Sequence, residues 1–368
     1  MNRRRLLGLV GAGALSSIAG CGYAAGGGDR YDTASVPSID GDTRRFFARD
    51  GDTMALGASG LQWLRRDPEE PPEFTTGTRV AVVSTDGRER WRFVTDNAAR
   101  AISLGARVFL TLDGGVILAS ETIDPGARDW SVNPATTVDW AVERNDVGPG
   151  IAAAGETVYI TAGNQLLEMR DGTVSWNTDI PGPGRELFRV DESIIIVGET
   201  WIAGVTDRQL AWELPISTAA TASLAGGVLA LLERDRLRVI DAATGSVVFE
   251  DPDAGGDGQP LLTDQHVFVL DGSQLVAFDR DTGRDAWQVP ITGRGDGSVV
   301  ADESGTYLAR DDGTITAIRA GKPRWQTEID ASGQAVTAWI DGPAVAVLVS
   351  DGTIAWVRRR AEDPGLMW

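Results

Sequence analysis

Two residue types with versatile chemistry occur once each in this chain of 368 residues, as Cys21 and His266. A single cysteine excludes an intrachain disulfide, a cysteine-based metal site and a redox site built from a cysteine pair. A single histidine excludes a metal site with several histidine ligands. His266 begins a predicted strand and has no nucleophile-elbow motif nearby, so we interpret it as an exposed or half-buried residue without a catalytic role. The sequence thus indicates no catalytic, metal-binding or cofactor-binding residues.

Carboxylates alternate with glycine in the segment 251–258, which begins at Asp251 and also contains Asp253 and Asp257. Oxygen-rich loops of this kind can bind Ca²⁺, but the segment lacks the spacing and the distal Glu of an EF-hand. A second group, Asp279, Asp281 and Asp285, falls on a repeated turn. We interpret both groups as solvated loops and expect no bound metal or other cofactor.

The N-terminus has the pattern of an export signal. Arg3-Arg4-Arg5 precedes an apolar stretch from Leu6 to Ala19, which is too short to span a bilayer as a helix. Arg3 and Arg4 followed by two leucines resemble the twin-arginine export signal. A general-secretion signal with a basic start is the alternative. We assign residues 1–20 to a signal peptide.

Cys21 follows Ile18-Ala19-Gly20, which resembles the lipobox of bacterial-type lipoproteins. In such proteins the thiol forms the thioether to diacylglycerol, and the cysteine becomes the mature N-terminus. The Gly-rich and polar residues that follow predict a flexible tether, so we assign residues 21–43 to the lipidated cysteine and its tether. The expected location is the extracytoplasmic side of the cell membrane.

Charge argues against several partners. The chain has 53 acidic and 34 basic residues, a net charge of −19. This balance argues against nucleic acid and against binding an anionic lipid surface through basic residues. Lys322 is the one lysine. Many acids with almost no lysine are typical of halophilic proteins, in which dense carboxylates preserve solubility at high salt. An ordinary acidic protein from a GC-rich genome is the alternative.

A repeat of nearly forty residues fills the rest of the chain. Each copy has short apolar strands separated by Gly and Asp turns, and it ends in an aromatic residue. The spacings between these aromatics are 39, 46, 36, 37, 38 and 38 residues. Repeats of this length, with several strands each, predict an all-β propeller of four-stranded blades over residues 44–368. Eight blades fit the spacing, and seven are the alternative.

The repeated aromatics are predicted to pack blade against blade, because an indole buries a large apolar area and its N–H can reach a neighbouring carbonyl. They are Trp91, Trp130, Trp176, Trp212, Phe249, Trp287 and Trp325. Trp140 competes with its neighbours as the reference residue of the second or third unit.

The repeat resembles that of the PQQ-like β-propeller family, with its best copies in the ranges 237–249, 275–287 and 315–325. The family includes quinone-dependent alcohol dehydrogenases and cofactor-free scaffolds such as the outer-membrane assembly lipoprotein. With its acidic composition and lipobox, the chain resembles a haloarchaeal-type lipoprotein of this family. The dehydrogenases typically have a vicinal disulfide over the quinone, which a single cysteine does not allow.

We therefore expect a membrane-anchored, non-catalytic binding or scaffold protein, monomeric, with an unidentified protein or glycan partner. The loops at 67–73 and 251–258 are the predicted contact sites, because function concentrates in loops on a rigid scaffold. A dehydrogenase-like or glycan-active enzyme is the alternative.

Overall fold

Short apolar segments between Gly- and Asp-rich turns pair into antiparallel sheets. The computed structural model describes residues 30–35, 44–50, 53–64, 73–84, 89–95, 97–120, 138–144, 146–218, 220–255, 258–271, 274–291, 297–302, 305–329, 335–341, 343–349 and 353–359. Within these ranges, 32 strands form eight four-stranded sheets arranged as an eight-bladed β-propeller. The predicted fold class and the count of eight are confirmed.

Blades 1 to 4 follow one another along the chain. Their strands are β2 (Arg44–Asp50), β3 (Thr53–Leu64), β4 (Glu73–Ser84) and β5 (Glu89–Thr95) in blade 1; β6 (Ala99–Leu104), β7 (Val108–Leu112), β8 (Val116–Ser120) and β9 (Val138–Glu143) in blade 2; β10 (Val147–Ala154), β11 (Thr157–Ala162), β12 (Gln165–Arg170) and β13 (Thr173–Asp179) in blade 3; β14 (Glu186–Val190), β15 (Ser193–Val197), β16 (Trp201–Thr206) and β17 (Gln209–Pro215) in blade 4. A 3-10 turn, Asp113–Gly115, joins β7 to β8.

Blades 5 to 8 complete the ring. Their strands are β18 (Thr221–Ala225), β19 (Val228–Leu232), β20 (Leu237–Asp241) and β21 (Val247–Asp251) in blade 5; β22 (Leu261–Leu262), β23 (His266–Asp271), β24 (Gln274–Asp279) and β25 (Asp285–Pro290) in blade 6; β26 (Gly297–Asp302), β27 (Gly305–Arg310), β28 (Thr314–Arg319) and β29 (Lys322–Glu328) in blade 7; β30 (Ala335–Asp341), β31 (Ala344–Val349), β32 (Thr353–Arg358) and β1 (Arg30–Ser35) in blade 8.

The pattern of buried residues follows from the packing of each blade against its two neighbours. The middle strands of a blade lie between two neighbouring blades, so a strand such as β31 is apolar and buried at every position. Outer strands such as β13 alternate between exposed and half-buried residues. Eight apolar clusters of described residues occupy the gaps between adjacent blades. The cluster between blades 8 and 1 includes Phe47 stacked on Trp339 at 6.1 Å, and it closes the ring.

The predicted start of the propeller at residue 44 is wrong, because the N-terminal strand β1 belongs to blade 8. We assigned residues 21–43 to a tether, but Arg30–Ser35 pair with β32 as the outer strand of blade 8. The propeller therefore includes residues from both ends of the chain. The sequence did not predict this strand, because β1 is polar and lacks the apolar repeat pattern. Its partner strand also lies more than 300 residues away in the chain.

The repeated aromatic has a fixed place in the outer strand of blades 1 to 7. In each of these blades a β-bulge immediately precedes it, and it pairs with the third strand. In blade 2 this position belongs to Trp140, which pairs with Ala119. Trp130, which we assigned to it, lies in residues 121–137, outside the described residues. Residues 121–137 separate β8 from β9 along the chain, so a count of spacings that used Trp130 misplaced the second unit.

Contacts of these aromatics join neighbouring blades. The indole Nε1 of Trp212 donates to the Ala242 carbonyl of the next blade at 3.1 Å, and that of Trp325 donates to the Arg359 carbonyl at 3.2 Å. Phe249 and Trp287 lie against the backbones of Gly283 and Gly321, again in the following blade. Trp91 occupies the same position after the bulge in the outer strand of blade 1. Arg208 of blade 4 lies 6.0 Å from the ring centre of Trp176 in blade 3.

Candidate functional site: two faces of the propeller

Strand direction divides the loops of the propeller between two faces. Connections between blades, and turns between second and third strands, lie on one face, which we call the connection face. Turns between first and second strands, and between third and fourth strands, lie on the other, which we call the hairpin face. This division follows from the sequential antiparallel order of the strands in each blade.

The two loops predicted as contact sites both belong to the connection face. Residues 65–72 join β3 to β4 and lie outside the described residues, as do Gly256 and Asp257 of the segment 251–258. The rest of the second loop is held in place. Asp253 N–H donates to the Asp251 carboxylate at 2.9 Å, and the Gly258 carbonyl accepts from the Thr221 hydroxyl at 2.7 Å.

Blade 1 extends beyond its neighbours on the connection face. β3 and β4 are 12 residues each and pair along their full length, up to Leu64 with Glu73. The flanking strands stop earlier, because β2 pairs only as far as Ser59 and β5 only as far as Thr78. Residues 60–64 and 73–77 thus form a two-stranded extension, which we call the ribbon. At about 3.4 Å per residue it projects about 17 Å.

Hydrogen bonds fix the base of the ribbon. The buried hydroxyls of Ser59 and Thr78 are 2.5 Å apart, and both accept from the backbone N–H of Ala99, at 2.8 and 2.6 Å. Thr78 also donates to the Asn97 carbonyl at 2.9 Å. Because buried polar groups need partners, this group ties the ribbon to the connection between blades 1 and 2.

A small cavity opens on the same face at the mouth of the central channel. It has a volume of about 280 Å³ and is lined by inner strands of blades 2 to 5, including Ile151, Arg185, Glu186, Phe188 and Thr221. Arg185 donates to the carbonyls of Gly198 and Ala220. Burial raises the pKa of the Glu186 carboxyl, and the neighbouring Arg185 only partly offsets this effect. Glu186 is the sole carboxylate in the described lining, so an Asp/Glu pair for glycoside hydrolysis is not present there.

A buried ion network fixes the connection from blade 4 to blade 5. The fully buried Glu233 accepts from the backbone N–H of Ser217 at 2.6 Å, from Arg238 Nε at 2.7 Å and from Arg236 Nε at 3.1 Å. Arg238 also donates to the Pro215 carbonyl at 2.9 Å. Burial raises the pKa of Glu233, but these hydrogen bonds and charges outweigh it and the net shift is downward. The network keeps this part of the connection face rigid.

On the hairpin face, the repeated Asp residues close turns. The carboxylate of Asp279 accepts from the backbone N–H and the hydroxyl of Thr282, at 2.9 and 2.6 Å, and Asp241 accepts from Thr244 in the same way. These bonds lower the pKa of both carboxyls. Within the described ranges, no three His, Cys, Asp or Glu residues are grouped to hold a metal ion.

His266 lines a larger groove on the hairpin face, between blades 6 and 7. The groove has a volume of about 840 Å³, and its walls include Asp264, Trp287, Asp302 and Arg319. The histidine ring is half-buried, 5.7 Å from the ring of Phe268. Neither this groove nor the channel mouth could be found from the sequence, because each combines residues of different blades.

The predicted lipidation and export residues, Cys21, Arg3 and Arg4, lie outside the described residues. Within the part of the chain that is described, no helix could cross a membrane.

Comparison with known proteins agrees with the architecture. A family model described as "Outer membrane protein assembly factor BamB" matches residues 198–362. No curated protein matches the chain. The crystal structure of BamB from Moraxella catarrhalis is similar, with a TM-score of 0.65 and 13% identity over 91% of this chain and 98% of that one.

Two other solved structures are nearly as similar in fold. The computationally designed Ika8 protein has a TM-score of 0.62 and 13% identity over 92% of this chain and 99% of its own. Saccharomyces cerevisiae Sqt1 has a TM-score of 0.58 and 10% identity over 92% and 100% of the two chains. At such identities the likeness concerns the fold alone. Together with the family match, it supports the interpretation of this chain as a propeller of PQQ-like repeats.

Proposed function

We propose that this protein is a membrane-anchored scaffold on the extracytoplasmic side, and that its connection face binds a protein partner. The likeness to BamB-type propellers supports a protein-binding role in general. The lipobox at Cys21 and the basic start at Arg3 and Arg4 support export and anchoring.

The ribbon is the observation that carries the choice of face. It extends past the four-stranded part of blade 1, and its root is fixed by the Ser59–Thr78 hydrogen bonds. An extension with a fixed root loses less conformational freedom when it binds a partner than a free loop does. The segment 251–258 and the channel mouth share this face, so one partner could contact all three.

Replacing residues 61–76 by Asn-Gly tests the proposal, because a two-residue hairpin turn fits between Gly60 and Gly77 and leaves the base of the ribbon intact. Partners are first identified by cross-linking on intact cells and mass spectrometry. The shortened protein should fold normally and lose them.

A matched control replaces residues 121–137, a segment of similar length on the hairpin face, by a Gly-Ser linker. This control should retain the partners. Retention of every partner after removal of the ribbon and Gly-Ser replacement of 251–258 would overturn the choice of face.

Anchoring has separate tests. Cys21→Ser should move the protein from the membrane fraction to the soluble fraction, and Arg3→Lys with Arg4→Lys should block export by the twin-arginine route.

The dehydrogenase alternative is tested by adding pyrroloquinoline quinone and Ca²⁺, which should give neither quinone absorbance nor dye-linked turnover. Turnover in that assay would favour the dehydrogenase alternative.

A further inference from the structure

The N-terminal strand determines which face lies nearest the proposed anchor. β1 runs antiparallel to β32, with Arg30 opposite Val357 and Ser35 opposite Thr353. β32 runs towards the hairpin face, since the turn from β31 lies on the connection face. The chain therefore enters β1 at the hairpin face of blade 8. Eight residues separate Cys21 from Arg30 and span at most about 30 Å when extended.

Basic residues cluster at this point of the hairpin face. Arg319 and Lys322 flank the turn between β28 and β29, and Arg358 ends β32. The cluster is continuous across the two blades, because the Trp325 indole donates to the Arg359 carbonyl at 3.2 Å. We call Arg319, Lys322, Arg324, Arg358 and Arg359 the basic patch.

Among the described residues, the hairpin turns of blades 7 and 8 contain two acids, Asp302 and Asp341. Asp302 pairs with Arg359, and Asp341 accepts from the Trp356 indole at 2.8 Å. The hairpin turns of blades 3 and 4 carry the opposite charge balance. The exposed acids there outnumber the exposed arginines of the turns, Arg170 and Arg208; the acids are Asp171, Asp191, Glu192 and Asp207. In a chain of net charge −19, cations are thus concentrated beside the N-terminal entry.

We propose that the hairpin face of blades 7 and 8 rests on the membrane, with the basic patch against anionic lipid headgroups, and that the connection face points away from the membrane. The inference rests on the proposed lipid anchor at Cys21. A tether of eight residues keeps the patch within reach of the headgroups, where each Arg or Lys adds attraction to an anionic surface. The overall acidity, which argued against such binding, conceals this local cluster.

Site-specific labels test the orientation on the lipidated full chain in vesicles of phosphatidylcholine and phosphatidylglycerol. Cys21 is the one cysteine, and lipidation consumes its thiol, so an introduced cysteine is the single labelling site. Ala320→Cys places a fluorophore at an exposed position of the patch. Asn164→Cys places one at an exposed position on the connection face, in the turn between β11 and β12. Nitroxide-headgroup lipids should quench the first label at least about twofold more than the second.

Equal quenching, or stronger quenching at position 164, would overturn the inference. Sedimentation with the vesicles reports the anchor separately, since failure of the protein with intact Cys21 to sediment would contradict the lipid anchor itself.

The patch is then tested without lipidation. The soluble Cys21→Ser protein should sediment at low salt with vesicles containing phosphatidylglycerol, and not with phosphatidylcholine alone. Arg319→Glu with Lys322→Glu should weaken this binding at least about tenfold. The matched control, Arg170→Glu with Arg208→Glu, makes the same charge change on the same face in blades 3 and 4, and should leave binding nearly unchanged. Equal losses in both variants, or no binding of the parent protein, would show that the patch is not a lipid contact.

Discussion

Replacing Gly245 by alanine should weaken the packing between blades 4 and 5, because the backbone of Gly245 lies against the repeated aromatic of the preceding blade. A Cβ at Gly245 would be 2.6 Å from the Trp212 ring, and φ is +72°. The left-handed conformation costs a non-glycine residue about 1–2 kcal/mol. The clash adds about 1–3 kcal/mol, as for overpacked cores. We expect Gly245→Ala to lower the free energy of unfolding by about 2–5 kcal/mol.

Gly227 provides the matched control in the same blade. Its φ is also +72°, but a Cβ there would meet nothing within 4 Å. Gly227→Ala should therefore cost only the conformational part, and urea unfolding followed by tryptophan fluorescence and circular dichroism measures both variants. Trp212→Leu should cost less in the Gly245→Ala background than in the wild type, since the two residues touch. Equal destabilisation by the two alanines, or additive effects of Gly245→Ala and Trp212→Leu, would refute the packing argument.

Three further predictions concern the ion network, the closing strand and the indole bonds. Glu233→Gln should cost about 3–5 kcal/mol at neutral pH, because it leaves two arginines without their buried counter-charge. The pKa of Glu233 is lower in the folded protein than in the unfolded chain. Its carboxylate therefore stabilises the fold fully above the unfolded-state pKa, and this stabilisation is lost as the pH falls through the folded-state pKa. The difference in urea stability should thus narrow below about pH 4, and a constant difference would contradict the prediction. A chain beginning at residue 36 should melt lower than one beginning at residue 30 and should exchange the amides of β32 faster, whereas equal melting would show that β1 does not close the ring. Trp325→Phe should cost about 1 kcal/mol more than Trp287→Phe in thermal unfolding, since the Trp287 indole donates no hydrogen bond within the described residues, and equal costs would count against a role for that bond.

The repeat could be predicted from the sequence because its turns are local. In the segment 275–287, the Asp279 carboxylate caps its own turn through Thr282, three residues away. Such bonds need no distant partner, so they recur wherever the same residues recur. The period and the aromatic at the end of each unit then gave the number of blades.

Features that depend on distant pairing escaped prediction. The outer-strand position in blade 2 is fixed by the pairing of Trp140 with Ala119 and by the bulge before it, neither of which a count of residues detects. The channel mouth combines Arg185 of blade 4, Thr221 of blade 5 and Gln259 of the connection that follows blade 5. A sequence pattern contains each residue separately, and only the closure of the ring places them together.

Closure by an N-terminal strand also separates the two proposed contacts of this protein. An outer strand runs from the hairpin face to the connection face, so a chain that begins with β1 must enter the propeller at the hairpin face. Had a C-terminal strand closed blade 8, the chain would begin with an inner strand, and an anchor ahead of it would emerge at the connection face beside the ribbon. A partner bound to the ribbon would then compete with the membrane for the same side. The direction of a single strand, Arg30–Ser35, thus leaves the face with the ribbon open to a partner if the proposed anchor holds the chain by its N-terminus.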